Sequence, residues 1–120
     1  MSIDRNEHQP TADETQRRGH IAALAVAEQI VTLSPIVPND VTVTCHLFAP
    51  DTPSVDVYFH HSREGVEALA EALGGTVSTR PHRNEDPRPH VSASVVVSSV
   101  PVRVWSLLDG VAAQDAAVAA

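Results

Sequence analysis

Two histidines, His46 and His60, lie in segments that alternate apolar and polar residues, with Asp56 between them in the chain. If those segments pair as neighbouring strands, His46 stands beside Asp56, the arrangement of a metal ligand with its orienting carboxylate. His60 would project from the same face. A metal site needs three or four ligands, however, and this face offers no further Cys or Glu. No metal is therefore expected, with His46 and His60 the pair to watch as the alternative. His82 and His90 bracket a polar stretch and read as solvated.

Nucleophilic chemistry has less support. Cys45 falls on the apolar side of its segment, where a buried thiol is inert. None of the serines sits in a Gly-x-Ser-x-Gly elbow, and no glycine-rich phosphate loop is present. Glu64, Glu67 and Glu71 follow one side of a helical segment, which marks a solvated face. No catalytic residue and no cofactor are assigned on these grounds.

The elements that must position these side chains follow from periodicity and punctuation. A helix is expected from Thr11 or Asp13, which can cap it, to a limit set by Pro35. Its apolar positions form a wide stripe of two sets: Ile21, Leu24, Ala25, Val31 and Ala23, Val26, Ala27, Ile30. "VTVTCHLF" and "SVDVYFH" alternate with period two and read as strands. A loop over 49–53 would pair Leu47 with Val55, Cys45 with Val57 and Val43 with Phe59. The same register sets His46 beside Asp56 and Thr44 beside Tyr58.

"SREGVEALAEALGG" carries a Ser62 cap, Glu64 in the positive first turn and a Gly74-Gly75 stop. Val66, Leu69, Ala70 and Leu73 give it one buried face. "TVSTR" reads as a short strand and "PHRNEDPRPH" as a loop.

The segment "VSASVVVSSVPVRVWSLL" completes the set. A two-residue turn at Ser98-Ser99 pairs Val97 with Val100, Val95 with Val102 and Ala93 with Val104, all apolar and so on one face. Pro101 has no N–H to donate and is expected at an edge. Arg103 and Trp105 then project away from the valines. The reading is a two-layer α+β sandwich in the order αββαβββ. A largely antiparallel sheet of about five strands carries two helices on its valine face. A rival arrangement lays the first helix across the other face. Residues 1–11 are expected to be loose, 12–108 to form the domain and 109–120 to be an Ala-rich tail.

Composition restricts the partners. A formal net charge of −7 argues against nucleic acid, whose affinity comes from basic clusters. No apolar run approaches the ~20 residues that span a bilayer, so no membrane partner is expected. The single Cys and a polar N-terminus fit a cytoplasmic protein. All eight basic side chains are Arg, and Ala, Val and Asp are abundant. This resembles the small accessory or regulatory proteins of GC-rich actinobacteria and of their phages and plasmids.

From Val55 to Leu108 the order strand, helix, three strands is similar to one module of the vicinal-oxygen-chelate (glyoxalase-like) fold. That resemblance implies metal ligands from the first and last strands of paired modules. His60 would answer to the first. The last strand has no His or Glu, and Asp109 lies just beyond it.

If helices cover the valines alone, the second face collects Phe48, Tyr58 and Trp105, three of the four aromatic residues, with His46, Asp56 and Arg103. Open aromatic and Arg surfaces mark interfaces. The expectation is a non-enzymatic binding protein acting through this face as a homodimer or with a protein or peptide partner, a small molecule being a further occupant. A small metal-dependent enzyme or metal-binding protein using His46 and His60 is the alternative.

Overall fold

The computed structural model describes residues 11–110. The expected loose segment 1–11 and the Ala-rich tail 109–120 lie outside the described residues, apart from Thr11, Asp109 and Gly110. Helix α1 covers Ala12–Leu33, strand β1 Asp40–Thr44, β2 Ser54–Tyr58 and helix α2 Arg63–Leu73. Strands β3 (Ser78–Arg83), β4 (Asp86–Val97) and β5 (Val100–Leu107) complete the order αββαβββ. The sheet runs β1-β2-β5-β4-β3 and is antiparallel except for the β2–β5 pair.

That one parallel pair explains the use of α2. A parallel return needs a long crossover, and α2 carries the chain over the sheet from β2 to the far edge at β3. The β3–β4–β5 meander then brings β5 back beside β2. The helix is cut to length by its caps. The Ser62 hydroxyl accepts from the Gly65 N–H at 2.9 Å, and Gly74 closes the last turn at φ +76°, where a side chain would be strained. Thr11 caps α1 in the same way through the Glu14 N–H.

Both helices lie on the valine face, and one core joins them to the sheet. Ala23, Val26 and Ile30 of α1, with Val66 and Leu69 of α2, meet Val55, Val57, Val91, Val102 and Val104. The rival placement of α1 is thereby excluded. Burial also divides the wide apolar stripe of α1. The set Ala23, Val26, Ala27, Ile30 is buried, whereas Ile21, Leu24 and Val31 face outward at 61%, 57% and 46% exposure. A two-layer sandwich has nothing above its helices to receive the second set.

The β4–β5 hairpin has the expected register, with Val97↔Val100, Val95↔Val102 and Ala93↔Val104 paired. Ser98 and Ser99 take φ of +49° and +67°, the doubly left-handed turn that matches strand twist. Pro101 is not on an edge strand, because β5 is central. Its N–H is not missed, since pairing with β2 begins only at Val102.

Three expectations need correction. The β1–β2 ladder pairs Val43 with Val55, Val41 with Val57, Thr42 with Asp56 and Asp40 with Tyr58. The register has moved by four residues, an even number, which leaves every paired side chain on its expected face but not beside its expected neighbour. The cause is α1. Gln16 donates to the Cys45 carbonyl at 2.8 Å, and the thiol is tucked against Gly19 and the Pro50 carbonyl. Cys45 is thus drawn out of the ladder, and residues 45–53 become one long connection.

The stretch read as the loop "PHRNEDPRPH" is mostly hairpin: β3 reaches Arg83 and β4 begins at Asp86. Its prolines are tolerated because β3 is an edge and residues 86–89 of β4 extend past β5. Finally, the apolar face expected to be buried is not buried evenly: Val41, Val43, Leu73, Val95 and Val97 are only partly buried, while Val91, Val100 and Ile30 belong to the centre.

Candidate functional site

The sheet register defines what stands on the face that the helices leave uncovered. One row across the strands reads Asp40, Tyr58, Trp105, Ser92, Ser78. A second reads Thr42, Asp56, Arg103, Ser94. In a third, His90 faces Arg80. The alternation that buries the valines is the same alternation that presents these groups.

The aromatic side chains form a connected line. Tyr58 and Trp105 have ring centres 4.7 Å apart, Trp105 and His90 stack at 5.5 Å, and His90 and His82 stack at 5.6 Å. At its other end the Tyr58 hydroxyl and His60 Nδ1 are 2.8 Å apart. Arg103 places its guanidinium carbon 5.2 Å from the Trp105 ring centre, within cation–π range. Its Nε donates to Asp56 Oδ1 at 3.2 Å, so the carboxylate that Arg103 holds is in its own chain. Both partners are about half exposed, and such a pair contributes about 0–1 kcal/mol.

Of the residues expected on this face, Tyr58, Asp56, Arg103 and Trp105 are brought together. His46 and Phe48 are not. They lie beyond the end of the ladder in the 45–53 connection, stacked on one another at 4.7 Å, with Phe48 86% exposed. His46 therefore does not stand beside Asp56. It is also far from His60, because the two histidines flank opposite ends of a ladder four residue steps long, roughly 13 Å at 3.3 Å per residue. Asp109 approaches His61 at 3.7 Å rather than His60. Among the described residues no three His, Cys, Asp or Glu side chains gather where they could hold a metal ion.

His82 and His90 are what the sequence reading missed. Their signal was present in "PHRNEDPRPH", where spacing to either side of a short turn brings the two rings to one face, but the prolines made the segment read as a loop. Around them a shallow hollow of about 360 Å³ is lined by Arg80, His82, His90, Ser92, Ser94 and Arg103. A second hollow of about 250 Å³ lies on the other side of Trp105, lined by Asp40, Thr42, Asp56 and Tyr58 with Trp105 itself.

The first hollow is electropositive, and His90 registers it. Burial pushes its pKa down, and the charges of Arg103, His82 and Arg80 push it further the same way. Asp86, near His82, is held far below the usual carboxylate range by the Arg88 guanidinium, which it grips at 2.8 and 2.7 Å.

A prediction follows from the His90 environment. Its imidazole should titrate below the ordinary histidine value near 6.5, and Arg103→Gln should raise its midpoint. Because the folded value is the lower one, the contribution to stability is complete above the unfolded value. It is lost as pH falls through the folded one. NMR titration of the His Cε1 protons checks this; a midpoint unmoved by Arg103→Gln would show that the charge is not felt.

The domain is a two-layer α+β sandwich with one helix-covered and one open sheet face. No helix among the described residues is long and apolar enough to cross a membrane. The chain matches no protein-family model and no curated protein sequence.

Proposed function

We propose that this is a non-enzymatic interaction protein that works through its open sheet face, and that the partner is a second copy of the chain. The observation that carries the reading is the line of rings Tyr58, Trp105 and His90, held in mutual contact on a face covered by neither helix. Tyr, Trp and Arg are the side chains that dominate association energies, because they bury large area at small cost in conformational freedom. Tyr58 and Trp105 are direct cross-strand neighbours, and Arg103 stands two residues from Trp105 on the same face of β5. Val96, 70% exposed on the same face, adds apolar area beside Pro101 and Arg103.

Sedimentation equilibrium is the test. The wild-type chain should self-associate, and Trp105→Ala should weaken it about 30-fold or more, the effect of losing a hot-spot side chain worth about 2 kcal/mol. Tyr58→Ala should act in the same direction, and the circular dichroism of both variants should match wild type. Leu24→Glu, on the outer face of α1, should leave association unchanged. A chain that stays monomeric at high concentration, or one that Leu24→Glu dissociates and Trp105→Ala does not, would overturn the proposal.

A further inference from the structure

The open face is divided by charge, and the division specifies how a second copy could sit. On the β1–β2 side stand Asp40 and Asp56. On the β3–β4 side stand Arg80, His82 and His90, with Ser92 and Ser94 further along β4. Arg103 and Asp56 neutralise one another near the middle. At the two edges the charges are not neutralised. Asp40 accepts only from the Thr42 hydroxyl, and Arg80 has no hydrogen-bond or ion-pair partner among the described residues.

Resting on the self-association reading above, we infer that two copies pack face to face about a two-fold axis running along β5. The acidic β1–β2 half of each then lies on the cationic β3–β4 half of the other. Charge symmetry selects the axis. A two-fold along the strands carries β1 of one copy over β3 of its partner and keeps β5 over β5. A two-fold across the strands lays β1 on β1 and β3 on β3, bringing Asp40 to Asp40 and Arg80 to Arg80. Like charges at close range are unfavourable, so only the first closes a self-complementary pair.

The register supports the match. Asp40 and Ser78 end the same cross-strand row, and Arg80 is two residues from Ser78 on β3, about 7 Å along the strand. An arginine side chain covers that distance. Trp105, in the middle of that row, falls near the axis and meets its own copy. Two chains of net charge −7 repel at long range, so attraction has to come from local pairing of this kind.

Exchange of charges tests the inference. Arg80→Glu makes both ends of the face acidic, and Asp40→Arg makes both ends cationic. Each variant alone should self-associate at least 10-fold more weakly than wild type in sedimentation equilibrium. Mixed in equal amounts, the two should form a heterodimer close to wild-type affinity, because each altered end then meets an opposite charge. Recovery on mixing also shows that both variants are folded. If both variants associate as tightly as wild type, or if the mixture is no tighter than its components, the two-fold along β5 is wrong while self-association stands. If wild type does not associate, the reading beneath it has failed first.

Discussion

Phe59→Ala is expected to lower the free energy of unfolding by about 3–5 kcal/mol, the range for removing a buried aromatic side chain. Phe59 is 1% exposed and follows the last residue of β2, where its N–H still donates to the Trp105 carbonyl at 3.0 Å. The backbone is therefore fixed by β5 and cannot follow the shortened side chain inward. On the other side α2 rests directly on the ring: a Cβ at Gly65 would run into its Cδ1 and Cγ atoms. Only glycine lets the helix come so close. Urea unfolding followed by circular dichroism measures the loss. Gly65→Ala should also destabilise, since overpacking here outweighs the ~1 kcal/mol that Ala gains over Gly in a helix. Combined with Phe59→Leu, it should cost less than the two changes added together, because the smaller side chain vacates the space that the methyl group needs. Additive losses would show that the two sites do not share one contact.

Leu69→Ala should cost about 2–5 kcal/mol. Leu69 is fully buried in the core that joins α2 to β4 and β5, one turn beyond Val66. The N-terminus of this helix is also tied to the sheet by a hydrogen bond. Ser106, the one fully buried polar side chain among the described residues, accepts from the Ser62 N–H at 3.0 Å. With its start held by β5 and its end by Gly74, α2 cannot settle into the cavity that truncation leaves. Glu67→Ala, on the exposed side of the same helix, should change stability by less than about 0.5 kcal/mol. A Leu69→Ala loss of under half a kcal/mol would mean that the helix does not pack where the structure has it.

Much of this architecture was legible in the chain, for reasons that are local. Thr11, Ser62 and Gly74 mark helix ends because their side chains, or the lack of one, satisfy backbone groups within three or four residues. The β4–β5 register could be read from valine alternation because a two-residue turn leaves no freedom of slip that keeps all six apolar residues together. For the same reason Arg103 and Trp105 could be assigned to the face away from the core, and Tyr58 and Asp56 to the same side of β2.

The β1–β2 pairing shows where local reading stops. Its parity was correct because period two is a property of each strand alone. Its register depended on Gln16, 29 residues away, taking the Cys45 carbonyl out of the ladder, and with it went the expected places of His46 and Phe48. The sequence by itself determined both helices, the order of the elements and which side of each recognised strand is apolar, since these depend on neighbours along the chain. Only the tertiary structure decided that β5 lies between β2 and β4. That single choice of strand order places Trp105 against both Tyr58 and His90 and puts Asp40 and Arg80 at opposite edges of one face. Strand order depends on the path of α2 across the sheet, a long-range packing choice that no short stretch of residues encodes.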